Sequence, residues 1–289
     1  MIPDVVERRM MKSTLCFAAV SLLAGAALAQ EPAPPPAVQE APARLVEPRV
    51  EDLVRKMSDL LVSSKAFALE AEEVYDETPE GLPRTQLTSR RHVALRRPDR
   101  LAGATAGDAI NRSYWYDGKT VTVLDDPHNV YVRMDVPPNI DGAMDTALER
   151  TGMVIPLADF LYSNVYDRLM GSVERGVYLG IHEVAGIPCH HLAFQQETID
   201  WQLWIDAGPK PLPRKLVIAY KTEDEVPQYQ VTIRKWNLVA EVPDGLFEFE
   251  PPPGAKKVDL PSLPSPGPAA SPKAVLSVNP PVKKQEKNR

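Results

Sequence analysis

The sequence contains very little cysteine, two residues among 289. Cys16 lies in an apolar run near the N-terminus that we expect to be removed, which leaves only Cys189 in the mature chain. A single cysteine cannot form an internal disulfide. The fold must therefore be stabilised by a hydrophobic core rather than by covalent cross-links.

Motifs for catalysis and cofactor binding are missing as well. The chain contains no G-x-S-x-G, P-loop, G-x-G-x-x-G, H-E-x-x-H or C-x-x-C pattern, the usual signatures of hydrolases, nucleotide-binding proteins, metalloproteases and thiol redox proteins. There is no excess of positive charge, since the formal net charge is -6, so we expect no nucleic-acid partner. These absences favour a non-enzymatic protein without a cofactor.

The N-terminus has a short apolar run and no membrane-spanning segment. Lys12 precedes the apolar residues 15–28, and the small-residue site Ala27-Leu28-Ala29 precedes Gln30. The run is about 14 residues long, whereas a spanning helix needs roughly 20. The pattern predicts a secretory signal peptide at residues 1–29, cleaved after Ala29, and a mature protein exported to the periplasm.

Low-complexity segments flank the rest of the chain. Residues 30–43 form a Pro/Ala-rich linker, and residues 261–289 form a Pro-rich tail with a basic end. Both are expected to be disordered, because they have too few apolar side chains to build a core. The basic tail could make a transient membrane contact, although a solvated tail is the simpler interpretation. Residues 44–260 remain as one domain.

Hydrophobic periodicity divides this domain into helices and strands. Apolar residues at helical spacing predict a helix over 50–61, and segments without alternation predict helices over 144–151 and 157–170, with Pro156 at the start of the last. The closing segment 242–249 is expected to dock Leu246, Phe247 and Phe249. Alternating segments between turn residues predict ten strands, at 67–75, 85–95, 114–116, 120–124, 130–136, 178–183, 189–196, 201–206, 215–220 and 229–236.

These elements predict an α+β, mainly β fold. We expect a curved antiparallel half-barrel sheet of about ten to eleven strands that covers two or three helices on its concave side. The apolar residues facing those helices would form a core or line a cavity, because so few short helices would not fill so wide a sheet. Trp204 and Trp236 are expected on the opposite face, where they could be exposed and mark a protein contact or be capped by loops. The candidate cavity-lining residues are Val132, Met134, Leu192, Phe194, Trp201, Leu203, Ile205, Leu216, Ile218, Tyr220, Val231 and Ile233.

A cysteine and histidines occur close together in one predicted strand. Cys189 and His191 share a strand face and could form a nucleophile pair or, with His182, ligate a metal. Nothing in the sequence fixes the approach of His182. We therefore expect a structural role for these residues and no metal.

Pairs of like-charged residues have two interpretations each. The acidic pairs Glu72-Glu73 and Asp125-Asp126 are expected on the solvated surface rather than as acid/base pairs. The basic pairs Arg90-Arg91 and Arg96-Arg97 could bind a phosphate or headgroup, or could simply provide solubility.

Turn motifs follow one another in a specific order along the domain. They are Arg97-Pro-Asp-Arg-Leu101, Tyr116-Asp-Gly-Lys119, Val184-Ala-Gly-Ile-Pro188, Trp204-Ile-Asp206, Pro211-Leu-Pro-Arg-Lys215 and Phe247-Glu-Phe-Glu-Pro251-Pro-Pro-Gly254. In this order they resemble an uncharacterised family of predicted periplasmic bacterial proteins, similar in fold to the LolA and LppX superfamily of lipoprotein carriers and lipid-binding proteins. The resemblance covers residues 44–259 and implies an unclosed half-barrel with a hydrophobic cavity, which carrier members use for acyl chains. No ligand residue can be transferred, because no motif matches the carriers' binding positions.

The sequence and the resemblance together favour a non-enzymatic periplasmic protein that binds or carries an apolar ligand. The ligand class would be an acyl chain, a lipid or a lipidated protein. An alternative is an envelope protein-interaction or sensing module on the same fold, with a filled core. A third hypothesis is a hydrolase with an unfamiliar site near Cys189 and His191.

Overall fold

The computed structural model describes residues 44–77, 83–151, 157–221, 226–238 and 241–260, so the predicted signal peptide, linker, tail and Pro156 lie outside the described residues. The helices are α1 (Pro48–Ser63), α2 (Ile140–Thr151) and α3 (Val165–Met170), with 3-10 helices at Ala158–Phe160 and Asp244–Phe247. The strands are β1 (Leu45–Val46), β2 (Ala66–Glu77), β3 (Thr85–Arg96), β4 (Arg100–Gly107), β5 (Asn111–Tyr116), β6 (Thr120–Asp125), β7 (Val130–Asp135), β8 (Arg175–Val184), β9 (Ile187–Gln195), β10 (Ile199–Asp206), β11 (Pro213–Tyr220), β12 (Gln228–Asn237) and β13 (Lys256–Lys257).

All of these strands belong to one sheet, in the order β1-β8-β9-β10-β11-β12-β2-β3-β4-β5-β6-β7-β13. The strands from β2 to β12 pair antiparallel, which confirms the prediction of a mainly β fold with a large, open, curved sheet. The predicted count of ten to eleven strands is corrected to 13. The additional strands β1 and β13 have two residues each and pair parallel to the edge strands β8 and β7, so they are too short to show a periodic pattern.

One full-length strand, β4, was missed from the sequence. Its residues are Arg-Leu-Ala-Gly-Ala-Thr-Ala-Gly, a composition poor in the β-branched and aromatic residues that favour strands. It nevertheless pairs along its length with β3 and β5. Tertiary pairing thus overrides a weak local preference.

The helices differ in how well the sequence anticipates them. The prediction over 50–61 is confirmed by α1, which begins with Pro48 in its first turn and buries the apolar stripe that includes Val50, Val54 and Met57. The prediction of one helix over 157–170 is wrong. Leu157 has a left-handed backbone (φ 66°), and the amide of Ser163 donates to Asp141 rather than continuing a helix.

One face of the sheet packs against the helices and forms the main core; we call it the inner face and the opposite one the outer face. Trp236 was expected on the outer face, and this is wrong. A β-bulge between Ile233 and Lys235 shifts the alternation, so Trp236 pairs with Leu69 and packs edge-on against the buried Phe67.

The segment 241–260 closes part of the outer face. Phe247 is fully buried, and Phe249 packs against Trp115 and Tyr131 at ring-centroid distances of 4.9 and 4.8 Å. These two contacts agree with the expected docking of the closing segment. Leu246 differs, since its side chain is 46% exposed.

None of the described helices is long and apolar enough to span a bilayer.

Gly103 in β4 provides a test of this packing. A methyl group there would overlap the phenol of Tyr114 and lie 2.6 Å from the backbone carbonyl oxygen of His92. We expect Gly103→Ala to lower the free energy of unfolding by about 1–3 kcal/mol, the usual cost of overpacking. Urea denaturation measures the change. Gly245→Ala is the matched control, because no atom lies within 4 Å of the added methyl; an equal loss in both variants would contradict this account.

Candidate functional site

The residues predicted to line a cavity come together on the inner face. Eleven of the twelve are buried in the main core, and Tyr220 packs against it partly buried. Some of these residues are in direct contact with each other. Phe194 and Trp201, for example, stack with their ring centroids 3.9 Å apart. The same core contains the buried residues of α1, α2 and α3, so the helices cover this apolar surface.

A small cavity lies between α2 and the sheet. Its volume is about 30 Å³, and its walls are almost entirely apolar. None of the twelve predicted residues lines it. The sequence signal that could have located it is the pair Ala143 and Ala147, small residues one helical turn apart on the buried face of α2. The cavity is lined by Leu101, Tyr114, Trp115, Tyr116, Val121, Val123, Ala143, Met144, Ala147 and Thr151.

A buried charged network lies on the inner face of β2, β3 and β12. Arg91 donates to Glu73 through Nε at 2.6 Å and Nη2 at 3.2 Å. Ser89 and Tyr229 donate to the same carboxylate at 2.6 and 2.9 Å. The Glu73 and Arg91 side chains are only 2% and 6% exposed, so this is a desolvated ion pair whose carboxylate accepts four hydrogen bonds.

A second buried ion pair lies further along the same face. Arg112 donates to Asp125 at 3.1 Å, and both side chains are less than a tenth exposed. The expectation of solvated acidic pairs is therefore wrong for Glu73 and Asp125. Adjacent strand residues point to opposite faces, so one acid of a pair must turn inward when the other faces out. Arg91 is likewise buried rather than on the surface.

These contacts shift the ionisation of the network. Burial opposes the charge on Glu73, but Arg91 and the hydrogen bonds from Arg91, Ser89 and Tyr229 outweigh it and lower the pKa of Glu73. Burial, reinforced by Glu73, raises the pKa of Tyr229 well above its ordinary value. Burial also raises the pKa of the neighbouring Tyr75 to about 12, and its hydroxyl has no hydrogen-bond partner among the described residues. Tyr75 can therefore donate a hydrogen bond at neutral pH.

Cys189 and His191 face the outer side of β9. The thiol of Cys189 donates to the carbonyl oxygen of Ile187 at 3.3 Å, and burial raises its pKa to about 11, so the reactive thiolate is disfavoured. His191 is bonded to His182 and to Gln202 at 2.7 and 2.9 Å. In the part of the chain that the structure describes, no group of three or more His, Cys, Asp or Glu residues is arranged to hold a metal.

Trp204 lies on the outer face and is covered rather than exposed. Its side chain is 9% exposed, because His191 stacks on the indole with ring centroids 4.0 Å apart and planes inclined by 13°. Lys215 lies over the same ring, with Nζ 5.0 Å from the centroid. An outer-face partner would therefore meet the edge of this stack rather than a free tryptophan.

The Glu73–Arg91 ion pair should stabilise the fold far more than a surface pair. We expect Arg91→Met to lower the free energy of unfolding by about 3–5 kcal/mol, because it leaves a buried carboxylate without its counter-charge. Arg234→Met removes the exposed Arg234–Glu72 pair of the same sheet and should cost about 1 kcal/mol or less. Urea denaturation of both variants measures the difference, and equal losses would show that Glu73 is not effectively buried.

The lowered pKa of Glu73 predicts a pH dependence. The stabilisation from its ionised form is complete above the ordinary pKa of 4.5 and is lost as pH falls towards the lower pKa of the folded state. Glu73→Gln should therefore be less stable than the wild type at about pH 7. The difference between their free energies of unfolding should become smaller below about pH 4.5. Denaturation from about pH 7 to about pH 3 tests this. Glu72→Gln, on the exposed side, is the control. If the stability difference between Glu73→Gln and the wild type stayed the same at every pH, the predicted pH dependence would be refuted.

Comparison with solved structures finds matches of low sequence identity. An uncharacterized conserved protein from Thermus thermophilus is 10% identical, with 73% of this chain and 98% of that chain covered and a TM-score of 0.43. LprF from Mycobacterium bovis is 12% identical over 68% of this chain and 97% of that chain, with a TM-score of 0.42. A LolA superfamily protein, NE2245 from Nitrosomonas europaea, is 8% identical over 69% and 97%, with a TM-score of 0.31.

Comparison with curated proteins finds no match. A family model described as "Predicted periplasmic protein (DUF2092)" matches residues 50–261, from the first buried residue of α1 to just past β13. This match covers most of the chain and confirms the resemblance to a periplasmic family that the turn motifs indicated. The chain belongs to the DUF2092 family of predicted periplasmic proteins.

Proposed function

We propose that this protein binds and carries an apolar ligand beneath its helices, as a non-enzymatic protein of the periplasm. The ligand class is an acyl chain, part of a free lipid or of a lipidated protein. The observation that carries the proposal is the apolar cavity under α2, which borders the apolar core on the inner face of the sheet. The signal peptide predicted for residues 1–29 agrees with this location.

The cavity must enlarge to accept such a ligand. Its volume of about 30 Å³ is far below the roughly 300–1,000 Å³ of ligand pockets. An acyl chain therefore has to displace a covering element. Since α2 supplies four of the ten lining residues and is the one helix among them, it is the element that would move.

The contacts of α2 favour movement of its C-terminal half. Its first half is fixed by the amide of Ile140, which donates to Pro98, by Asp141, which accepts from Ser163, and by Asp145, which accepts from Tyr162. Beyond Asp145 the helix lies over the cavity through Ala147 and Thr151. Small residues give little contact area, so lifting this half exposes little apolar surface.

The energy of burial is large enough for this mechanism. Each buried methylene contributes about 0.8 kcal/mol, so about ten methylenes give roughly 8 kcal/mol before the costs of association. No charged group on the ligand is needed.

A second function, an envelope protein-interaction or sensing module, is favoured by a different observation. The cavity is small, and the edge strand β8 exposes Leu179 and Ile181 by 45% and 49%. Strand β1 pairs with β8 only at Arg175 and Gly176, so within the described residues most of this edge is open to another strand. In this case the inner face would be a filled core.

The direct test is native mass spectrometry of mature protein purified gently from the periplasm of its own host, followed by solvent extraction and lipid analysis. A stoichiometric lipid or lipopeptide is expected. A ligand-free protein that also fails to take up a fluorescent fatty acid would rule out the carrier function. The second function would be supported by a protein partner that no longer binds the Ile181→Asp variant but still binds after the inner cavity is filled.

Filling the cavity tests the site itself. Ala147→Phe places a large side chain in the space under α2 and should reduce uptake of a fluorescent fatty acid at least tenfold, with about 1–3 kcal/mol of destabilisation from overpacking. Glu149→Phe adds the same side chain at an exposed position of α2 and is the matched control. Unchanged uptake by Ala147→Phe, with its fold verified by circular dichroism, would place the ligand elsewhere.

A further inference from the structure

We propose that His182 and His191 form a binding site for a divalent transition metal ion on the outer face of the sheet, with Cu²⁺ as the preferred ion. The site lies on β8 and β9, on the face opposite the helices, and is independent of the proposed ligand under α2. It uses two histidines, and water would complete the coordination.

The pairing of β8 and β9 brings the two rings together. His182 lies opposite Cys189, and His191 is the diagonal neighbour, two residues along β9 on the same face. A register shift follows Tyr178, and Gly180 adopts a left-handed backbone (φ 108°) that is available to glycine. The Nδ1 atoms of the two histidines are 2.7 Å apart. The structure thus places His182 next to His191, which the sequence could not show.

Gln202 on β10 prepares His191 as a ligand. The Gln202 Oε1 atom accepts from His191 Nε2 at 2.9 Å, which places the ring proton on Nε2 and leaves the Nδ1 lone pair directed towards His182. A carbonyl on the remote ring nitrogen is the usual second contact of a metal-bound histidine.

The second ligand, His182, is exposed and can adjust. In the metal-free state its Nδ1 proton is donated to His191 Nδ1, and neutral His182 can instead hold that proton on Nε2 and offer its Nδ1 lone pair. The ring centroids are 4.9 Å apart, so the two nitrogens face each other nearly head-on. His182 must turn for both lone pairs to meet at one ion, and its exposure permits this.

The two nitrogens favour Cu²⁺ by their chemistry. Their 2.7 Å separation is that of a hydrogen bond, which the ion would replace once His182 has turned. Square-planar nitrogen sites suit Cu²⁺ or Ni²⁺, and Cu²⁺ has the higher affinity for imidazole. Cys189 is not counted as a ligand, because its thiol donates to the carbonyl oxygen of Ile187.

The experiment is titration of the full, tag-free protein with CuCl₂, followed by calorimetry and by electron paramagnetic resonance. We expect one Cu²⁺ per chain with nitrogen hyperfine splitting from two imidazoles, and Zn²⁺ binding at least tenfold weaker. Trp204, stacked on His191, should lose fluorescence as Cu²⁺ binds.

Variants separate this site from other histidines. His182→Ala changes an exposed residue and should weaken Cu²⁺ binding at least tenfold, and Gln202→Leu should weaken it about tenfold through the orientation of His191. His92→Ala, an exposed histidine of β3 on the same face, is the matched control and should bind as the wild type does. Equal Cu²⁺ affinity in His182→Ala and His92→Ala, or tighter binding of Zn²⁺ than of Cu²⁺, would overturn the proposal.

Discussion

The alternation of side chains across a single sheet is the constraint on which the rest of this structure depends. Along central strands such as β2 and β10, every second residue faces the helices and gives up water, whatever its chemical type. Apolar residues meet this demand by packing with α1, α2 and α3. Glu73 and Arg91 meet it only because each neutralises the other and Ser89 and Tyr229 complete the hydrogen bonding. The strand register therefore determines which side chains form the inner face, and the helices pack against that surface.

The same alternation explains how much the sequence could predict. Period-two patterns located ten strands, and helical spacing located α1, because in both cases the pattern reports which side chains are buried. The candidate residues from Val132 to Ile233 were grouped correctly on one face for this reason. What they could not reveal was whether the space beside them is filled, since that depends on the volumes of residues on α2, such as Ala147, which are distant in sequence.

The errors have local physical causes. Strand β4 was missed because alanine and glycine have little strand preference, and Gly103 is there because Tyr114 lies across it. Trp236 was placed on the wrong face because a bulge adds one residue to the alternation and leaves no mark in the pattern. Glu73 was assigned to the surface because burial of a charge depends on its partner, and Arg91 is supplied by another strand. Each of these features depends on a neighbour in space.

The buried thiol of Cys189 has a consequence for a member of a family of predicted periplasmic proteins. Disulfide exchange proceeds through the thiolate, and it requires an attacking sulfur to reach the target. Cys189 is fully buried and its pKa is raised to about 11, so both conditions are unfavourable. In the folded protein, Cys189 is therefore protected from forming mixed disulfides or covalent dimers.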